Sequence, residues 1–310
     1  MKRRRIALAL LWIVPALWSS NYLVARLSDG VIAPHALAFW RWLLAALLML
    51  PFVWRGLRDG LLSDPAVWRA ERWHLLVLGG LGMWICGAWV YIAGRSTTAT
   101  NMALIYAATP VLIVLVSARR LHEHMAAAQK VGVALALAGV LFVIAKGDID
   151  NLLQVRFSAG DGWMVAAALA WTAYSVLLKA WPSRLGPAER LVAIIAGGLL
   201  WLLPATVVEA LSIPTPPLSP KALLLVVVAA VVPGVVSYGA HSFMQRELGA
   251  ARTALMLYLS PVYGALGAWL VLGERPGWYH LAGGALILPS IWLATRHNPV
   301  QLPRPSTSTS

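Results

Sequence analysis

Apolar stretches of about twenty residues, the length a helix needs to cross the hydrocarbon core of a bilayer, recur along this chain between short segments rich in charge, proline or glycine. They predict ten spans: Ile6–Leu27, Ala33–Trp54, Trp73–Gly94, Thr100–Ser117, Ala127–Lys146, Ser158–Ala180, Glu189–Val208, Lys221–Gln245, Thr253–Leu272 and Trp278–Thr295. Polar and aromatic residues inside the spans fall at helical spacing. Trp18, Asn21 and Tyr22 stand at i, i+3, i+4 and share a face of the first span; Tyr106, Thr109 and Pro110 do the same on the fourth, and Tyr258, Pro261 and Val262 on the ninth. Trp and Tyr also gather in interfacial belts, which accounts for Trp54, Trp73, Trp181 and Trp278 at span ends. Midspan Trp18, Trp84, Trp171 and Tyr258 escape that explanation better, leaving helix packing or a solute cavity. With Tyr174 and Tyr238 they make a candidate lining whose ring faces and few hydrogen-bonding groups suit a small amphipathic solute.

The spans are written twice. Ala103, Leu104, Pro110, Val111, Leu121, Glu123 and Gly132 reappear 151 positions later as Ala254, Leu255, Pro261, Val262, Leu272, Glu274 and Gly283. The earlier parts of the halves match two residues out of step, Trp18 and Arg26 with Trp171 and Lys179. Each copy holds five spans, an odd number, so the second enters the membrane from the opposite side. The predicted fold is therefore an all-α integral membrane protein, ten transmembrane helices arranged as two inverted five-helix repeats. The organisation read from the chain is a first repeat over 1–146, an external linker over 147–157, a second repeat over 158–296 and a disordered cytoplasmic tail over 297–310, rich in Pro, Ser and Thr. Duplication of this kind points to transporters, whose sites lie where the copies meet.

Composition agrees with a bilayer setting: 60% hydrophobic residues, 12% charged and a mean hydropathy of +0.73 are too apolar for a soluble domain of 310 residues. The net charge of +13 would suggest nucleic acid in a soluble protein, but the basic residues sit on scattered short loops. Eighteen of the 25 Lys and Arg fall on segments that share a side with the N-terminus, six on the other side, and Arg41 lies within a span. The positive-inside rule then places both termini in the cytoplasm. Lys2 to Arg5 followed by an apolar run has the look of a secretory signal. The run continues to about Leu27 without a convincing small-x-small site, so it is expected to stay as the first span. Cys86 is the only cysteine, which excludes an intramolecular disulfide.

Pro110 and Pro261 fall near the middle of their spans, where proline frees the carbonyl four residues earlier, on Tyr106 and Leu257. A packing kink is one reading; the other is a carbonyl that takes a partner from a water-filled cavity or a solute. Arg41 is the one charge deep in a span, at a cost of about 2.5 to 3.5 kcal/mol on insertion scales. Asp161, freed carbonyls or a solute carboxylate are its candidate partners, and scaffold and solute contact stay open as its role. Glu123 and Glu274 precede the fifth and tenth spans, where a carboxylate meets the positive end of a helix dipole. His122-Glu123-His124 has the residue types of a metal cluster, but adjacent and i+2 residues do not face one another on a helix. Ser237 and His241, at i, i+4, would be the nucleophile and base of a membrane-embedded enzyme, with no motif to supply an oxyanion hole. No catalytic residue, metal ligand or cofactor is expected.

Together, Trp18-Ser19-Ser20-Asn21, the Arg41 of Phe39-Trp40-Arg41-Trp42, the midspan prolines and Leu272-Gly273-Glu274, echoed as Leu121-His122-Glu123, resemble the EamA family of the drug/metabolite transporter superfamily. His122 departs from the glycine of the second copy. The resemblance covers the chain apart from its tail. It implies a ten-helix bacterial inner-membrane permease exporting amino acids or other small metabolites, with a central cavity lined mainly by the first, third, fourth, sixth, eighth and ninth spans. The expected solute-binding residues are Trp18, Asn21, Tyr22, Arg41, Trp84, Tyr106, Thr109, Trp171, Tyr174, Tyr238 and Tyr258. Pro110, Pro261, Glu123 and Glu274 are expected to serve structure or gating. The partners are a small-molecule substrate and the lipid bilayer, with no nucleic acid; a homodimer stays open. No carboxylate lies at mid-membrane, and His35, His241 and His280 stand toward span ends, which favours facilitated diffusion or exchange over proton coupling. The alternatives are the membrane-embedded enzyme and a non-transporting scaffold.

Overall fold

The computed structural model describes residues 2–120, 127–144, 147–148, 158–214, 216, 219–248 and 259–295. Every regular element among them is helical. The first half contains α1 (Lys2–Leu27), α2 (Pro34–Leu57), α3 (Pro65–Gly79), α4 (Cys86–Ala93), α5 (Ala99–Ala107), α6 (Thr109–Arg120) and α7 (Ala127–Ile144). The second contains α8 (Ala159–Ala180), α9 (Pro187–Ser212), α10 (Pro220–Ala230), α11 (Ser237–Leu248), α12 (Ser260–Leu272) and α13 (Trp278–Thr295). Six helical stretches are long and apolar enough to cross a membrane.

Start signals explain where these helices begin. Proline opens α2, α3, α9 and α10, a position where its missing N–H costs nothing. The side chains of Asp64, Thr98, Ser158 and Ser219 accept backbone N–H groups of the first turns of α3, α5, α8 and α10. The Asp64 cap starts α3 at Pro65 rather than at the predicted Trp73, because Arg69, Glu71 and Arg72 hide a helical turn from a hydropathy reading.

Between α3 and α4 the chain passes through a π-helical turn, Gly80–Ile85, and between α10 and α11 through another, Val231–Val236. The two are 151 positions apart, the offset of the sequence repeat. A third π turn, Arg58–Leu62, extends α2. The Gly80 and Val231 turns were not legible in the sequence, since GLGMWI and VVPGVV share no residue pattern.

The main helix contacts join one half of the chain to the other. α1 packs on α11 and α12, α2 on α9, α4 on α8, α5 on α12, α6 on α8, and α7 on α13. Small residues permit the closest crossings. A Cβ on Gly79 would lie 2.2 Å from the Gly198 backbone nitrogen, and one on Gly264 would lie 2.5 Å from Ala103 Cβ. Large apolar side chains such as Phe52, Leu211 and Leu281 point outward. Lipid solvates such a surface without penalty, and the fold is held by packing between the halves.

Candidate functional site

A cavity of about 940 Å³, its open mouth included, lies where the two halves meet. Eight of the sequence-predicted residues line it: Trp18, Asn21, Tyr22, Arg41, Tyr106, Thr109, Trp171 and Tyr238. Ser19, Trp42, Cys86, Pro233 and Ser260 join them unforeseen. The wall is drawn from α1, α2, both central π turns, α4, α5, α6, α8, α11 and the start of α12. α2 joins the spans expected to form most of the lining, through the expected contact Arg41 and the unforeseen Trp42; α7 and α13 contribute no described lining residue.

Arg41 anchors the polar side of this cavity. Its Nη1 donates 2.7 Å to Asn21 Oδ1 and also to the Tyr91 hydroxyl, while that hydroxyl donates 2.9 Å to the same Asn21 oxygen. The guanidinium lies 4.3 Å from the centre of the Trp42 ring and 5.7 Å from that of Tyr91, close enough for cation–π attraction. All of these partners are neutral. Asp161, a candidate counterion in the sequence, is engaged elsewhere: it accepts 2.5 Å from Thr97 Oγ1 and 2.7 Å from Ser158 Oγ. Among the described residues no carboxylate pairs with Arg41 and none lines the cavity.

Aromatic rings form the rest of the wall. Tyr22, Tyr106, Trp171 and Tyr174 follow one another with centroid separations of 6.4, 6.3 and 4.9 Å. On a second arm, Tyr238 meets Trp18 at 5.8 Å and Trp42 at 6.1 Å. Tyr174 stacks on Trp171 and is buried behind it, outside the lining. Cys86 Sγ lies 3.0 Å from the Tyr106 hydroxyl, and Ser19 Oγ donates 3.0 Å to the Ser260 carbonyl, tying α1 to α12 at the cavity wall.

Several residues stand differently from their sequence reading. Trp84 stacks on Trp201 at 5.4 Å and faces a lateral groove between α2, α4 and α9. The carbonyl of Tyr106 freed by Pro110 is taken by the Thr109 hydroxyl rather than by a solute. A one-residue break at Ala108 separates α5 from α6 there. Ser237 Oγ donates 2.7 Å to the Val232 carbonyl inside a π turn, and the His241 ring lies tilted 5.3 Å from that of Trp18, so these two do not form a nucleophile–base pair. Pro261 stands in the first turn of α12. Tyr258, Leu257 and the His122-Glu123-His124 run lie outside the described residues.

Glu274 ends up on a helix other than the one it precedes. Gly273 closes α12 in the left-handed conformation at φ 69°, and the Glu274 N–H returns 3.2 Å to the Ala268 carbonyl. That turn sends the carboxylate to the other half. It accepts 3.0 Å from the Ala99 N–H at the start of α5 and 3.1 Å from Arg26 Nε, whose Nη1 donates 2.7 Å to the Gly94 carbonyl. At the same end His280 accepts from the Gly277 N–H through Nδ1, which leaves Nε2–H to donate 3.2 Å to Asn101 Oδ1. The opposite end is tied by Glu71, which accepts 2.5 Å from Ser183 Oγ and 3.1 Å from the Arg184 N–H.

Comparison with known proteins places this arrangement. An uncharacterized transporter of Archaeoglobus fulgidus is 25% identical over 287 residues, spanning 92% of this chain and 96% of its own. A probable terminal-alkyne amino-acid exporter of Streptantibioticus cattleyicolor is 27% identical over 198 residues, 64% of each chain. A solved crystal structure with 22% identity matches the fold at a TM-score of 0.62, covering 94% of this chain and 98% of the other. The EamA-like transporter family model matches twice, over residues 5–145 and 158–296. With both halves matched, the chain belongs to the EamA-like transporter family, membrane proteins of transport.

Proposed function

We propose that the protein is a secondary transporter that exports amino acids or other small metabolites across the bacterial inner membrane by alternating access. In this reading ten spans form two inverted five-helix repeats with both termini cytoplasmic, and the halves rock about the cavity. The observation that carries it is a cavity whose wall is drawn from both halves, at the interface where they must move. Trp18, Asn21, Tyr22, Arg41, Tyr106, Thr109, Trp171 and Tyr238 form the solute site. Arg26 and Glu274 hold the outer end shut, and that contact must part for release. The amino-acid class is supported by the Streptantibioticus relative, a probable terminal-alkyne amino-acid exporter. An enzyme is disfavoured because Ser237 is committed to a backbone carbonyl. The lack of a cavity carboxylate among the described residues favours exchange or downhill flux over proton coupling.

The chain's own single cysteine tests this directly, because Cys86 lines the cavity. In inverted and right-side-out vesicles, an impermeant maleimide should label Cys86 from the cytoplasmic side. A transported amino acid should slow that labelling and show counterflow in proteoliposomes without a pH difference or membrane potential. Labelling indifferent to every solute, with no counterflow of any, would sink the proposal. Trp18→Ala, Asn21→Ala and Tyr106→Ala should each lower flux while leaving abundance unchanged.

A further inference from the structure

Two hydrogen-bond donors on adjacent residues of α2, Arg41 Nε and Trp42 Nε1, are buried without an acceptor. Both residues line the cavity, and both are almost wholly enclosed, at 4% and 3% exposure. A buried donor without a partner forfeits its hydration, so native structures almost always satisfy such groups with protein, water or ligand. Among the described lining residues the orphaned donors coincide with the one charged side chain, Arg41. The neighbours of its guanidinium among the described residues are neutral, Asn21 and Tyr91 by hydrogen bonds and Trp42 by its ring. A cation held in a cavity walled by aromatic rings attracts an anion more strongly than the same cation in bulk water.

We propose that the cavity selects solutes bearing a carboxylate, which is held against Arg41 Nε and Trp42 Nε1, and rejects amines that lack one. The inference rests on the cavity being the solute site. A single positive charge matches a monoanionic group; a phosphate dianion would leave a second charge unbalanced among aromatic rings. The remainder of the solute lies against Tyr106, Trp171 and Tyr238. An amino acid's ammonium is accommodated there by ring faces, which attract cations without needing a carboxylate. Asn21 and Tyr91 hold the guanidinium in place through Nη1, so these two act as positioning residues.

The test compares L-alanine, L-leucine and L-phenylalanine with their carboxamides and decarboxylated amines, using protection of Cys86 from maleimide as the binding readout. At least one acid should protect at about tenfold lower concentration than its amide or amine, the scale of one charge-assisted bond. Arg41→Gln should erase that preference. Trp42→Phe, which leaves an aromatic ring but removes the indole N–H together with its five-membered ring, should shrink it about threefold, to an extent consistent with a neutral donor. This second variant decides the matter if Arg41→Gln fails to accumulate. Equal protection by acids and amides in the unmodified protein, or a preference that survives Trp42→Phe undiminished, overturns the inference. If amides show counterflow as well as acids do, transport stands and carboxylate selection falls. If no solute protects or moves, both readings fall.

Discussion

The two halves share a frame and differ in chemistry. Trp18 and Trp171 occupy matching positions in the cavity wall, Pro34 and Pro187 open matching helices, and the π turns at Gly80 and Val231 fall at the repeat offset. The polar cluster has no such double. In the register set by Pro34 and Pro187, Arg41 corresponds to Ile194, and in the register of Trp18 and Trp171, Asn21 corresponds to Tyr174. Ile194 is buried against the Gly79 crossing rather than exposed to the cavity. Duplication thus preserves what packing requires, whereas the cluster of Arg41, Asn21 and Tyr91 occurs once, on one side of the cavity.

The sharpest way to break this comparison is to give the second half the charge of the first. Ile194→Arg places a cation where Tyr174 stands in the register of Asn21, at a cost of about 2.5 to 3.5 kcal/mol. Monodisperse protein on size exclusion should largely vanish; a normal yield would show that both halves tolerate the charge. Next in size is the shared crossing. Gly198→Ala, whose Cβ would fall 2.4 Å from Met83 Cβ, should lower Tm by overpacking worth roughly 1 to 3 kcal/mol. Gly162→Ala meets nothing within 4 Å and should be neutral or slightly stabilising, as expected of alanine in a helix.

Smaller effects separate the ends from the centre. A double-mutant cycle with Arg26→Ala and Glu274→Ala should return a coupling of about 0.5 to 1 kcal/mol, as for partly exposed ion pairs. Zero coupling in Tm would remove the pair as a clasp between the halves. A change of similar size is expected from Ser237→Ala, which deletes one hydrogen bond within a π turn worth about 0.5 to 1.5 kcal/mol. Circular dichroism melting would register it, and a loss of several kcal/mol would mean that Ser237 holds more than the Val232 carbonyl.

How far the sequence reaches follows from which forces are local. Apolar length and capping residues are local, so the helices of the first, sixth and seventh spans fall close to prediction. Helical spacing brought Trp18, Asn21 and Tyr22 to one cavity, and likewise Tyr106 with Thr109. Depth in the membrane was a poorer guide. Trp84 is midspan yet turned away, and it sits inside a π turn, where the 3.6-residue phase no longer applies. Trp42 and Cys86 carried no signal of their own, because only the neighbouring helices decide that they meet the cavity. Glu274 was recognisable as a partner for a helix start, but its choice of α5 over α13 depends on the left-handed turn at Gly273 and on the approach of the other half.

That choice has a consequence for the order in which the protein is made. Thr98 caps Asn101 from within its own turn, but the Ala99 N–H waits for a carboxylate 175 residues further along, and Asn101 for an imidazole 179 residues further. A nascent chain inserting from its N-terminus therefore carries an incomplete α5 start through most of synthesis. Truncation before residue 274 leaves Arg26 and Ala99 without their shared acceptor, so quality-control proteolysis of unfinished chains should begin at this end of the bundle.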